Sequence, residues 1–199
     1  MKDKVSNISS KAFKYRSYTP IPFLVLMLVF AEPNIVSMIT GFLLALIGEG
    51  IRFWGVSWAG SETRTTSNVG GSYLIVSGPF GYVRNPLYVG NILMYLGIGI
   101  MSMSLFPYLQ IGALIFFVLQ YHLIVREEEK YLRKEFAEDY KTYCENVSRF
   151  LPSFVQYKNT GFQQPERNSK AGLKSEARTL QAFAIVSVLI LSIWMVKNL

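Results

Sequence analysis

Residues 87–125 read LYVGNILMYLGIGIMSMSLFPYLQIGALIFFVLQYHLIV, a stretch without one Asp, Glu, Lys or Arg. Pro107 stands near its middle, with Ser102 and Ser104 just before it, and marks a tight turn. The runs on either side, 87–105 and 107–125, are 19 residues each. At 1.5 Å per residue a helix of that length measures roughly 28 Å, one hydrocarbon thickness. Two equal spans joined by so short a turn must run antiparallel. Asn85-Pro86, opening the first span, is thereby brought level with Arg126, Glu127, Glu128 and Glu129, which follow the second.

Upstream, residues 21–31 form a shorter apolar run, Glu32-Pro33-Asn34 reads as a turn, and 35–48 continues as an apolar helix through Glu49, Arg52, Trp54 and Trp58. Val29-Phe30-Ala31 has the look of a secretory cleavage site, but Pro20 and Pro22 interrupt the apolar region before it. Residues 59–84 are polar and glycine-containing, a structured loop at the membrane surface. Residues 127–143 form a charged helix with Leu132, Phe136, Tyr140 and Tyr143 on one stripe. Residues 180–196 are a last apolar helix. The fold class expected is all-α, a multi-pass transmembrane helical bundle of about five spans. The chain divides into a membrane core over 1–155, a polar basic linker over 156–178 and a C-terminal transmembrane helix over 179–199.

Charge placement supports this organisation. With 20 Lys and Arg against 13 Asp and Glu, the net charge is +7, and the basic residues fall between apolar runs. A cytoplasmic N-terminus and five alternating spans put 19 of the 20 on the cytoplasmic side. The charge is therefore topogenic, not the footprint of a nucleic-acid binder, and the lipid bilayer is the expected partner. A single cysteine, Cys144, excludes an internal disulfide and a Cys-rich metal site. A single histidine, His122, disfavours a His-based metal centre, so no metal is expected; inside an apolar helix it reads as a packing residue.

Two clusters at the cytoplasmic edge carry chemistry. In Gly78-Pro79-Phe80-Gly81-Tyr82-Val83-Arg84-Asn85-Pro86-Leu87-Tyr88-Val89-Gly90, Pro86 fits the first helical position and Asn85 the N-cap, its side chain accepting from a free backbone N–H. Such a terminus suits a ligand carboxylate, and Arg84 adds a positive fork for an oxyanion; a plain helix start with a snorkelling arginine reads the same way. The second cluster is Arg126-Glu127-Glu128-Glu129. One reading is a helix that simply continues; the other turns Glu128 or Glu129 inward to a cationic ligand. Glu49 and Arg52, three apart, read as a structural ion pair.

At these residues the chain resembles the isoprenylcysteine carboxyl methyltransferase and phospholipid methyltransferase superfamily of integral membrane enzymes. That family's signature is Arg-His-Pro-x-Tyr-x-Gly, two spans, then Glu-Glu-x-x-Leu and an amphipathic helix. Here Arg84-Asn85-Pro86-Leu87-Tyr88-Val89-Gly90 is followed by Glu128-Glu129-Lys130-Tyr131-Leu132, and the likeness runs on through Phe136, Tyr140, Tyr143 and Arg149-Phe150-Leu151-Pro152. It covers about residues 70–152. The resemblance implies an S-adenosylmethionine pocket lined by Ser72, Tyr73, Leu74, Ile75, Phe80, Asn85, Pro86, Leu87 and Tyr88, with Glu128 and Glu129 from the opposite helix. Arg84 or Arg126 would orient the acceptor. Three positions depart from the family: Asn85 replaces a histidine, Phe80 a tyrosine, and Ile124 sits at the offset of a substrate-orienting arginine.

The activity implied is methyl transfer to a lipophilic, membrane-embedded acceptor, a prenylcysteine-like carboxylate or a phospholipid amine. A small hydrophobic thiol or amine is the rival acceptor, and a non-catalytic membrane protein with a degenerate pocket is the rival class. A transporter is disfavoured because polar residues collect at one edge instead of at mid-bilayer.

Overall fold

The computed structural model describes residues 9, 11–60, 74–158 and 161–199. Every regular element among the described residues is helical. The helices are α1 (Pro20–Val29), α2 (Ile35–Ala59), α3 (Pro86–Ser102), α4 (Tyr108–Asn146) and α5 (Ser169–Asn198), with a 3-10 turn over Gly78–Gly81. Residues 11–15 are also helical. Helices α2, α4 and α5 are each long and apolar enough to cross a membrane, while α1 and α3 are shorter apolar helices. Ile39, Leu43 and Leu46 of α2, Ile111, Ile115 and Leu119 of α4, and Val188 and Leu191 of α5 face outward, whereas Glu49, Gln110, Gln120 and Glu176 are buried. Apolar outside and polar inside is the arrangement hydrocarbon surroundings demand. The protein is an integral membrane helical bundle.

Local sequence explains the helix ends. Asn34 accepts from the Ser37 N–H at 2.9 Å, and the Ser37 hydroxyl accepts from the Asn34 N–H at 3.0 Å, a reciprocal cap that starts α2. Helix α3 stops where Met103 takes a left-handed conformation, φ 49°. In the turn that follows, Gln110 donates to the carbonyls of Gly99 at 2.8 Å and Ser104 at 3.1 Å, and the Ser104 hydroxyl donates to Leu26 O at 2.9 Å. These side chains supply partners for backbone carbonyls at the turn. The hairpin expected from 87–125 is present.

Helices α2 and α3 run antiparallel in backbone contact. A Cβ placed on Gly48 would sit 2.5 Å from the Gly90 carbonyl oxygen, and one on Gly90 would sit 2.6 Å from that of Gly48. Small residues allow this approach, and in lipid dispersion contact is what holds helices together. Gly41 and Gly97 repeat the contact further along.

Helix α4 has 39 residues, about 58 Å at helical rise, so its second half projects beyond the hydrocarbon. The backbone leaves helical geometry once there, at Ala137. The stripe of Leu132, Phe136, Tyr140 and Tyr143 packs with Leu74, Val76 and Val147 into a small core at the membrane edge.

Helix α5 starts at Ser169, so the last part of the expected 156–178 linker, from 169 on, is helical. Asn168 caps it by accepting from the Ala171 N–H at 2.9 Å, and Gly172 lies against Ser57, where a Cβ would come within 2.6 Å of the hydroxyl. Tertiary contact with α2, not apolar character, makes that stretch a helix.

Candidate active site

The antiparallel hairpin sets the start of α3 beside the point where α4 leaves the bilayer. Three consecutive glutamates meet three different surroundings there. Glu127, half-buried, pairs with the exposed Lys130 at 2.6 Å. Glu128, half-buried, accepts a hydrogen bond from the Tyr88 hydroxyl at 2.7 Å. Glu129, buried, receives Arg149 Nε at 2.9 Å, Arg149 Nη2 at 2.6 Å and Arg84 Nη2 at 3.1 Å. Both poles named from the sequence, the Arg-Asn-Pro helix start and the Glu pair, are thus in one place.

The side chains of the first cluster are used differently from expectation. Asn85 is the N-cap of α3 and Pro86 its first residue, but the Asn85 side chain does not accept from the helix. Its Nδ2 donates to the Arg149 carbonyl at 3.0 Å instead. The reason is tertiary: the segment after α4 runs back along this loop, with Arg84 N–H donating to Ser148 O, Ser153 N–H to Tyr82 O and Tyr157 N–H to Gly81 O, each at 2.9 Å. The first turn of α3 therefore keeps N–H groups that no side chain caps. Arg84 is committed to the fold: besides Glu129, its Nη1 donates to the carbonyls of Cys144 at 3.0 Å and Val147 at 2.9 Å, closing the C-terminal end of α4. Arg126 lies on the exposed face of α4, outside the cluster.

Of the remaining expected lining residues, Leu74 is buried against the α4 stripe and Ile75 is half-buried. The carbonyl of Phe80, in the 3-10 turn, accepts from the Tyr143 hydroxyl at 2.7 Å. Leu87 and Tyr88 are half-buried in the first turn of α3. Ser72 and Tyr73 lie outside the described residues. Tyr88 stacks on Tyr121 with ring centroids 4.6 Å apart, and this aromatic group also gathers Phe117, Phe13 and Phe150. Ile124 is fully buried under it.

Electrostatics separate the two inward glutamates. Glu128 lies past the charge-free run of α4, which ends at Val125, and burial pushes its carboxyl up to about 7 although the Tyr88 hydroxyl and the nearby Arg16 charge pull it down. The Glu129 carboxylate raises the Arg149 guanidinium further above its ordinary value through their hydrogen bonds. Burial raises the hydroxyls of Tyr140 and Tyr143. Glu129 is locked with two arginines; Glu128 is held by one neutral hydroxyl. Arg149 and Arg16 were not picked out as site residues from the sequence. Arg149 stood inside the quoted Arg149-Phe150-Leu151-Pro152 run, whereas Arg16 gave no signal beyond a basic N-terminal segment.

A cationic, zwitterionic ligand fits this donor set. Half-buried Glu128 and the faces of Tyr88 and Tyr121 suit a positive centre, and the uncapped start of α3 suits a carboxylate.

The phospholipid methyltransferase family model matches residues 36–139, which takes in nearly all of α2, all of α3 and α4 as far as Asp139, past the Glu128-Glu129 pair and Leu132. The cobalt-zinc-cadmium resistance protein CzcN of Cupriavidus metallidurans is 30% identical over 115 residues, 58% of this chain and 50% of that protein. The chain thus spans about half the length of this curated relative. No solved structure matches the chain. With more than half of its residues under the family model, and with Arg84 and Tyr88 bonded to the Glu128-Glu129 pair, the chain belongs to the phospholipid methyltransferase family, within the isoprenylcysteine carboxyl methyltransferase and phospholipid methyltransferase superfamily of membrane proteins.

Proposed function

We propose that this protein is an S-adenosylmethionine-dependent methyltransferase acting on a lipophilic acceptor that reaches the site from the bilayer. The observation that carries the reading is the Tyr88–Glu128 pair beside an uncapped helix start, with Glu129 already neutralised by arginines. S-adenosylmethionine, when bound, supplies a methyl group on a positively charged sulfur. Glu128, aimed by the Tyr88 hydroxyl, holds that charge. The N–H groups opening α3 hold the carboxylate of the methionyl part, with Leu74, Ile75 and Phe80 along the loop side. Asn85, Pro86 and Leu87 shape the turn that presents those N–H groups.

Arg84 and Glu129 act by fixing the loop against α4, so Arg84 is a positioning residue. Arg126, on the outer face of α4, would meet an anionic acceptor at the membrane surface. The apolar bundle beneath excludes water, and catalysis rests on alignment for in-line displacement. A carboxylate acceptor needs no base; an amine acceptor releases a proton, which Glu128 is placed to receive. The site faces the cytoplasm in the topology drawn from charge placement.

Calorimetric titration of the detergent-solubilised protein with S-adenosylmethionine tests the reading. Saturable binding is expected, with Glu128→Ala weakening it by about 30-fold or more, the usual result of removing one member of a buried charge pair. A wild-type protein that takes up no ligand, or a Glu128→Ala variant that binds as well as wild type, overturns it.

A further inference from the structure

A second polar group lies deeper in the bundle and involves the helix that the family match does not reach. Glu176 of α5 is 1% exposed, and its Oε2 receives Arg52 Nη2 at 2.6 Å. Glu49 sits 3.4 Å from Arg52 Nε, as expected of that pair, so one guanidinium is held between two carboxylates. The other arm of the fork, Nη1, donates to the Asn91 side-chain oxygen. Asn91 and the Tyr95 hydroxyl in turn meet the hydroxyl of Tyr121. Tyr121 carries the stacked ring of Tyr88, whose hydroxyl holds Glu128.

Helical spacing makes this group and the candidate site two ends of one surface. Tyr88, Asn91 and Tyr95 fall at i, i+3 and i+7 on α3, and Tyr121, Ile124 and Glu128 at the same spacing on α4. Burying a carboxylate at the α5 contact is costly, and apolar packing alone would join the helices more cheaply. What Glu176 adds is direction: with a carboxylate on each side, the Arg52 fork cannot swing away from Asn91. Glu49 alone leaves one side of the guanidinium unheld, and a long basic side chain so released turns toward the nearest polar surface.

We propose that Glu176, acting through Arg52 and Asn91, is a positioning residue that sets the Tyr121–Tyr88 stack and hence the Glu128 carboxylate, making α5 part of the cofactor site's support. The assignment rests on the methyltransferase reading above. Its test is a set of S-adenosylmethionine titrations, with thermal unfolding in parallel, on wild type, Glu176→Gln, Asn91→Leu, the double variant and Ile190→Ala. Ile190 is fully buried on the same helix but belongs to the apolar core with Met27 and Phe183. Glu176→Gln and Asn91→Leu are each expected to weaken binding about tenfold, and the double variant no more than either, the signature of one coupled path. Ile190→Ala is expected to lower the unfolding temperature and leave affinity unchanged. Tight binding by Glu176→Gln, losses that multiply in the double variant, or an equal loss in Ile190→Ala would each overturn the assignment while binding by wild type keeps the methyltransferase reading. No binding by wild type overturns both.

Discussion

Glu127, Glu128 and Glu129 are chemically identical neighbours, and a helix rotation of about 100° per residue hands them to an exposed lysine, to a tyrosine and to two arginines. Their substitutions should therefore differ sharply. Glu129→Gln leaves Arg84 and Arg149 facing each other with no counter-charge and is expected to cost about 2–3 kcal/mol, read as a lower unfolding temperature. Glu127→Gln loses a pair whose lysine is 58% exposed, and its effect should stay below about 1 kcal/mol. Glu128 should reveal itself by pH. Its carboxyl is raised to about 7, so acidification protonates it and removes the charge a sulfonium needs. Affinity for S-adenosylmethionine should accordingly rise about tenfold per unit as pH climbs toward 7, then level off; a flat profile would remove Glu128 from the proposed sulfonium contact. Which glutamate faces which partner was not legible in the residue order alone, because Arg149 arrives from a segment beyond α4. The same holds for Asn85: its cap position follows from Pro86, but its bond goes to the Arg149 carbonyl, which only the folded chain supplies.

At the level of elements, the α3–α4 hairpin was readable because two charge-free runs of equal length flank one proline. The α4 extension was readable too, since its apolar stripe recurs with helical spacing and packs as that spacing requires. The start of α5 was not. Residues 169–178 are polar, and their helicity depends on Ser57 and Arg52 of a helix distant in sequence. The backbone contact of α2 with α3 gives the clearest mutational test. Gly48→Val must force apart helices that meet at the Gly90 carbonyl, and overpacking of this kind costs about 1–3 kcal/mol. A marked drop in unfolding temperature in detergent is expected, whereas Gly112→Val, where an added Cβ meets nothing within 4 Å, should leave it nearly unchanged.

For the molecule as a whole, short α1 reaches the full height of the bundle only with the segment before it. Thr19 bonds Gln120 of α4 at 3.0 Å near one end, and the Glu32 N–H reaches the Ser102 carbonyl at 2.8 Å at the other. The five crossings expected from the sequence place the two termini on opposite sides. Reporter fusions should therefore show the N-terminus in the cytoplasm and the C-terminus across the membrane; both on one side would require an even number of crossings. The glycine contacts between α2 and α3 also limit how a greasy guest can arrive. Where two backbones touch at Gly41, Gly48, Gly90 and Gly97, no acyl or prenyl tail can slip between them. That flank is a closed wall, and any doorway from the lipid must open along another side.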